Sequence, residues 1–240
     1  MHTVYITKNP KRRFNVYLFG KLPSTNDEIK KAVYNPFDAV IANNQSDGKG
    51  RNGRPFVSNE GGLYMSVLLD GDAPFAEYIT PLAGAAAASV LEEFGFDAGI
   101  KWVNDIFVGG GKICGILAEK FSRGEKNYIA LGIGLNVNNK NFGEFADIAT
   151  SMFLQTNSRY RLSEVAGRVL ETLNFFLAAG KKKTIDVFRE KSIVLGKKIV
   201  LSDGGDRVTA VGIDGDGGLI VEDGKGNRRV ITAGSIRVED

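Results

Sequence analysis

The sequence predicts an α+β protein: a mixed β-sheet domain with flanking helices, followed by a small β-barrel. Three observations carry this reading. Residues 63–69 form an apolar, partly β-branched run with no polar period, as expected for a strand buried on both faces. Residues 81–94 are alanine-rich and closed by Gly95, while 162–177 place Leu162, Val165, Val169, Leu173 and Phe176 on one helical stripe. From about Ser192 the texture changes to short alternating runs at 198–201, 208–213, 219–222 and 229–232, separated by Gly/Asp clusters.

In chain order, residues 4–7 and 15–19 read as short strands. The basic link between them, residues 8–13, carries Pro10 as its turn signal and reads as a solvated hairpin tip. Ser24-Thr25-Asn26-Asp27-Glu28 opens a helix, with Thr25 and Glu28 at capping-box spacing and Ile29, Ala32 and Val33 as its apolar face. Residues 38–42 form a buried strand. Residues 100–102 and 105–108 read as two arms of a bent strand, 112–121 and 128–137 as two longer strands, and 185–189 as a short second helix behind the striped one. The domain boundary falls near 192–195, giving a catalytic-sized domain over 1–192 and a small one over 193–240, with no internal repeat.

Composition excludes several classes. A net charge of +3 over 240 residues does not by itself indicate a nucleic-acid partner, so any phosphate affinity must come from a local cluster. The single histidine is His2, near a terminus, which removes Ser-His and Cys-His nucleophilic mechanisms. The single cysteine, Cys114, makes neither an internal disulfide nor a thiolate metal cluster and fits a reducing compartment. With no signal peptide, and no apolar run near the roughly 18 residues of a membrane span, the expectation is a cytoplasmic protein without membrane or resident metal.

The densest chemistry lies in Gln45-Ser46-Asp47-Gly48-Lys49-Gly50-Arg51-Asn52-Gly53-Arg54-Pro55-Phe56. Three glycines let the backbone approach a ligand, and Lys49, Arg51 and Arg54 put three cations within six residues, which suits a phosphate or carboxylate. The same composition also suits a surface loop whose charges are merely solvated. Gly48, Gly50 and Gly53 fit G-x-G-x-x-G, yet Pro55, Gly61 and Gly62 follow and then a strand, so no helix starts there to face a pyrophosphate. A P-loop fails as well, because Arg54 and Pro55 stand where lysine and Ser/Thr are needed.

A second cluster is Lys101-Trp102-Val103-Asn104-Asp105, followed by Gly109-Gly110-Gly111 and Lys112. Lys112 begins a strand straight after the glycines, so its ammonium either points from a rigid element into a site or guards a strand end. Trp102 reads by default as a core anchor and Asp105 as a turn cap. In Gly132-Ile133-Gly134-Leu135-Asn136-Val137-Asn138 small residues line a strand, and Asn136, bracketed by apolar neighbours, must hydrogen-bond to backbone or to a ligand.

Taken in order, Ser24-Thr25-Asn26, Gln45 with the loop 48–54, Lys101 to Asp105, Lys112-Ile113-Cys114-Gly115-Ile116-Leu117 and Gly132 to Asn136 resemble the biotin protein ligase family over nearly the whole chain. The resemblance implies a class II synthetase/SH2-like catalytic domain and an SH3-like barrel. It implies that biotin is activated with ATP to biotinyl-5'-AMP, with pyrophosphate released and Mg2+ carried by the nucleotide. The biotinyl group then goes to a lysine of a biotin carboxyl carrier protein, such as that of acetyl-CoA carboxylase. By the same resemblance Ser24, Thr25, Asn26, Gln45, Lys49, Gly50, Arg51, Lys112 and Gly115 contact biotin. Arg51, Arg54, Phe56, Asn104, Lys112 and Asn136 serve the nucleotide. For catalysis, charge chemistry points to Lys112 and Arg51 as the cations that oppose the meeting of carboxylate and phosphate, and to Asp105 as the group that receives or orients the carrier amine, which must be neutral to attack. The loop is expected to be mobile until biotin orders it.

Two departures stand out: the family's Gly-Arg-Gly-Arg has Lys49 as its first cation here, a point charge in place of a planar fork, and its Lys-Trp-Pro-Asn-Asp has Val103 for proline. The first strand starts at Val4, so the expectation is the short form without an N-terminal DNA-binding domain, which binds no DNA; a homodimer is neither required nor excluded. Lipoate or octanoate ligases and transferases of the same fold are the nearest rivals. A nucleic-acid-binding module is remoter, since charge is dispersed and aromatics are not interleaved with it.

Overall fold

The structure is a computed structural model that describes the backbone of residues 2–6 and all of residues 13–202 and 204–239. The basic link at 8–12, read above as a hairpin tip, lies outside the described residues.

Strands β1 (His2–Ile6) and β2 (Phe14–Phe19) lead into the short helix α1 (Thr25–Ile29) and strand β3 (Asp38–Ala42). Then come β4 (Leu63–Asp70), helix α2 (Ile79–Glu93), and strands β5 (Gly99–Lys101), β6 (Asp105–Val108), β7 (Gly111–Arg123) and β8 (Lys126–Leu135). Helices α3 (Met152–Thr156) and α4 (Leu162–Glu190) precede β9 (Lys198–Leu201), β10 (Arg207–Ile213), β11 (Leu219–Glu222), β12 (Arg228–Ile231) and β13 (Ile236–Val238).

The first eight strands form one sheet in the order β1-β2-β3-β4-β8-β7-β6-β5, mixed because β2 and β3 run parallel while the other pairs are antiparallel. The last five form an antiparallel sheet in the order β12-β11-β10-β9-β13. The expected architecture, a mixed sheet with helices followed by a small all-β domain, is the one observed.

The period-two alternation of strands decides which face of the large sheet carries chemistry. From β4 and β8, Leu63, Met65, Val67 and Leu69 and Ile129, Leu131, Ile133 and Leu135 join one core with α2 and α4. Helix α2 can lie between sheet and α4 because it is nearly all apolar, with Pro81 to Ala88 buried along its length. On the opposite face the residues between these, Ser66 on β4 and Gly132 and Gly134 on β8, are polar or small. There α1 covers only part of the sheet, where its Ile29, together with Leu22, packs in one cluster with Val40, Leu68 and Ala130. The remainder is the floor of a cavity.

Three local readings are corrected. The cap of α1 is Ser24, whose Oγ accepts from the Asp27 amide at 3.3 Å, rather than Thr25; the helix ends at Ile29, leaving Ala32 and Val33 exposed. A side chain one residue earlier reaches the third helical amide, which is the capping bond a helix start requires. Segments β5 and β6 are not two arms of one strand but an antiparallel hairpin pairing Ile100 with Ile106. Helix α4 runs through to Glu190, and the two helices read from sequence meet at Gly180, whose φ of 83° breaks the helical path without a Cβ clash.

The small domain is gripped by the large one. The Trp102 indole N–H donates to the Gly217 carbonyl at 3.0 Å, and the Arg189 guanidinium donates to the Ile213 carbonyl at 3.0 and 3.1 Å. Trp102 is buried, so the expected core anchor is also an interdomain clasp. No helix among the described residues is long and apolar enough to cross a membrane.

Candidate active site

The cavity on the polar face of the sheet has a volume of about 570 Å³, within the range of small-molecule sites. Every site residue singled out in the sequence lines it, from Ser24 through Asn136, and Ser235 and Ile236 of the small domain close one side.

One end is a buried polar floor. Ser24, Thr25 and Asn26, at the start of α1, are almost wholly excluded from water. The Gln45 Oε1 accepts from the Thr25 amide at 2.7 Å and lies 3.0 Å from its hydroxyl, while Gln45 Nε2 donates to Ser58 Oγ at 2.8 Å. Ser66 Oγ sits 2.7 Å from Thr25 Oγ1 and 2.6 Å from Asn26 Oδ1. The Asn26 amide is oriented from its other end, because Nδ2 donates to the Glu119 carboxylate at 2.7 Å. Such fully connected buried polar groups hold one geometry. Gly132 makes room for this: a Cβ there would lie 2.5 Å from Asn26 Oδ1.

The glycine-rich segment is a short hairpin rather than an unstructured loop. Lys49 bridges Pro55, the Gly50 amide donates to the Arg54 carbonyl and the Phe56 amide to the Gly48 carbonyl, both at 2.7 Å. Arg51 to Gly53 form its tip, where Asn52 (φ 56°) and Gly53 (φ 71°) take left-handed conformations. Its three cations reach three different elements. Lys49 Nζ meets Asp27 Oδ2 on α1 at 2.6 Å, Arg51 donates to Asn104 Oδ1 at 3.1 Å and Arg54 to Ser235 Oγ at 3.3 Å. The hydrogen bond to Asp27 raises the pKa of Lys49, keeping it cationic.

At the cavity's centre Lys112 on β7 meets Asp105 on β6, with Nζ 2.7 Å from Oδ1. Among the described residues that oxygen has no well-directed hydrogen bond, so the contact is chiefly electrostatic. Both side chains are partly exposed to the cavity. The Phe56 ring lies over the glycines of the floor: a Cβ at Gly134 or Gly115 would come within 2.5 or 2.9 Å of it, and Lys112 Nζ lies 5.8 Å from its centroid. Asn136 is buried and donates through Nδ2 to the Thr150 carbonyl at 2.9 Å, while its Oδ1 has no partner among the described residues. Asn104 is fixed in turn by donating to the Ile116 carbonyl at 3.0 Å.

Two sequence profiles match in tandem: the "Biotin/lipoate A/B protein ligase family" over residues 18–136 and the "Biotin protein ligase C terminal domain" over residues 194–238. The chain belongs to the biotin protein ligase family. Its fold is similar to that of the biotin protein ligase from Aquifex aeolicus in complex with biotin and ATP, with a TM-score of 0.84, 27% identity, and coverage of 93% of this chain and 98% of that one. It is 30% identical over 208 residues to the bifunctional ligase/repressor BirA of Bacillus subtilis, covering 81% of this chain and 64% of that protein. It is 27% identical over 211 residues to the biotin--[acetyl-CoA-carboxylase] ligase of Mycobacterium tuberculosis, covering 82% of this chain and 77% of that protein. The chain thus spans somewhat less than two thirds of the Bacillus relative.

Within this family frame, four polar residues that the sequence reading passed over serve the cavity: Ser235 lines it, while Ser58, Ser66 and Glu119 hydrogen-bond from behind to the lining residues Gln45, Thr25 and Asn26. Ser66 left a trace, as the one small hydroxyl side chain in the apolar run of β4. Glu119 and Ser235 left none, since nothing local marks a carboxylate near a strand's end as supporting a site residue or a serine in a turn as lining a site.

Proposed function

We propose that this chain activates biotin with ATP as biotinyl-5'-adenylate, releasing pyrophosphate, and transfers the biotinyl group to a lysine of a biotin carboxyl carrier protein. The observation that carries the reading is that one cavity joins a buried polar floor to a cationic centre. Ser24, Thr25, Asn26 and Gln45 offer donors and acceptors to a ureido ring, which has two N–H groups and a carbonyl. The dithiolane of lipoate has none of these and would forgo the hydrogen bonds a ureido ring can make to the floor, each worth about 0.5–1.5 kcal/mol. That favours biotin over lipoate or octanoate.

In the first step a biotin carboxylate oxygen bonds to the α-phosphorus of ATP, and the bond from that phosphorus to the pyrophosphate oxygen breaks. Two anions must meet and negative charge grows on the phosphoryl oxygens, which Lys112 and Arg51, both lining the cavity, would oppose; one such donor is worth about 3 kcal/mol in other enzymes. Magnesium would come largely hydrated on the triphosphate and would offset part of its charge; among the described residues no three carboxylate, histidine or cysteine side chains group to hold a metal. Asn136 Oδ1, a buried acceptor in want of a donor, suits the exocyclic amine of adenine.

In the second step the carrier amine attacks the acyl carbon, AMP leaves, and the amine gives up a proton. Asp105 is the carboxylate at the cavity's centre that can orient that amine and receive the proton. Residues 1–192 serve catalysis in this proposal and 193–240 form the separate small domain. The test is transfer of labelled biotin to an acetyl-CoA carboxylase carrier domain with and without ATP, alongside calorimetric titration with biotin and with lipoate. Label incorporated equally without ATP, or tighter binding of lipoate than biotin, sinks the reading.

A further inference from the structure

We infer that the Asp27–Lys49 ion pair is the fastener that holds the 48–56 hairpin over the polar floor and so sets how long the activated acid is retained; this rests on the function proposed above. Lys49 is the position at which this chain carries a lysine in an otherwise arginine-rich motif, and its partner is supplied by the chain itself. With Nζ and Oδ2 2.6 Å apart, the Lys49 charge is matched by a carboxylate on α1 and is not free to neutralise a phosphate. Of the hairpin and strand cations singled out in the sequence, Arg51, Arg54 and Lys112 are left for that work.

Asp27 is placed to couple the hairpin to the floor. Its backbone amide donates to Ser24 Oγ, and Ser24 belongs to the floor. Its carboxylate also lies 3.9 Å from Lys30, which pairs with Glu119 at 3.0 Å, and Glu119 accepts from Asn26. A chain of alternating charge therefore runs from the hairpin through Asp27, Lys30 and Glu119 to Asn26. Both members of the fastener are about two-fifths exposed, at 40% and 43%, so the pair adds little to global stability. Its effect is confined to the local equilibrium between a hairpin seated and a hairpin lifted, where pairs of this exposure are worth between about 1.4-fold and 5-fold.

The experiment compares Asp27→Asn, Lys49→Met, their double variant, and the exchange Asp27→Lys with Lys49→Asp. One readout is trypsin cleavage at the Arg51–Asn52 bond in enzyme without ligand; the other is the rate at which preformed biotinyl-adenylate is lost from the enzyme after rapid desalting. Each single variant is expected to cleave, and to lose adenylate, about fourfold faster, with the double variant no worse than either single and the exchange within twofold of the parent. High salt should remove the difference. Single variants that change both rates by less than twofold, or whose effects multiply in the double variant, overturn the inference. If the parent makes no biotinyl-adenylate the proposed function fails, while the cleavage arm still decides the fastener.

Discussion

Lys112 and Asp105 face each other across the β6–β7 pair with nitrogen and oxygen 2.7 Å apart, so the cation proposed for the first step is held by the carboxylate proposed for the second. In the proposed reaction this arrangement would order the two steps. An incoming phosphate would compete with Asp105 for the ammonium, and once Lys112 turned to the phosphate the carboxylate would be released to meet an amine.

The two residues should therefore fail differently. Lys112→Ala is expected to lower biotin-dependent pyrophosphate exchange by about 10²- to 10³-fold, the loss of one preorganised donor. Asp105→Asn is expected to retain most of that exchange and to slow transfer from preformed biotinyl-adenylate by roughly 10²-fold. Transfer that is unchanged in Asp105→Asn would remove the carboxylate from the second step.

Two glycines on β8 separate the ends of the cavity. Gly132→Ala drives a Cβ to 2.5 Å from Asn26 Oδ1, whose amide cannot retreat without giving up Glu119, whereas Gly134→Ala meets the Phe56 ring at the same distance. The first variant is expected to weaken biotin binding about tenfold with little change in the KM for ATP, and the second to do the reverse, each near 1.4 kcal/mol. Calorimetry and steady-state kinetics on both variants check this. Equal losses of both ligands in either variant would contradict the division of the cavity.

The contrast between Gly132 and Glu119 marks how far the sequence could be read. Strands β4, β7 and β8 were legible from composition because burial on one face and small residues on the other leave a pattern, and motif order located the hairpin, Lys112 and Asn136. The capping bond of α1 was misplaced by one residue because Ser24 and Thr25 are chemically equivalent caps and only backbone geometry chooses between them. Glu119 was invisible because its role depends on pairing across strands and on α1 lying above it, a tertiary relation with no local spacing. The grip of Trp102 on Gly217, 115 residues away, is of the same kind.

Asn136 offers a direct test of base selection. Asn136 lines the cavity, its Oδ1 is buried and lacks a donor among the described residues, and its Nδ2 is committed to Thr150. A base presenting an amine satisfies the oxygen; one presenting a carbonyl leaves two acceptors opposed, costing about 1–3 kcal/mol. Asn136→Ala is therefore expected to raise the KM for ATP about tenfold and to narrow the preference for ATP over GTP, measured by pyrophosphate exchange with each. An unaltered preference would place the base elsewhere.

Alkaline unfolding tests the burial of the sheet's core. Burial pushes the Cys114 thiol up from 9.0 to about 12, and pushes the Tyr64 phenol up from 10.0 to about 12. Both groups stay neutral in the folded protein at a pH where the unfolded chain has ionised, so the unfolded state binds fewer protons and stability falls as pH rises. Below about pH 9 this stability is fully present. Between about 9 and 10 Cys114 alone contributes, with a limiting slope of about 1.4 kcal/mol per pH unit, and above 10 Tyr64 adds to it. Urea midpoints at quarter-unit steps from pH 8 to 10, for the parent and for Cys114→Ala, isolate the thiol. The parent's midpoint should decline above pH 9 while that of the variant, lower at the start because of the cavity it creates, stays nearly level. Parallel curves would mean that the thiol is not shielded in the fold. The same shielding predicts that iodoacetamide leaves native Cys114 unmodified at pH 8.5 and labels it at the unfolding transition, since only the thiolate reacts.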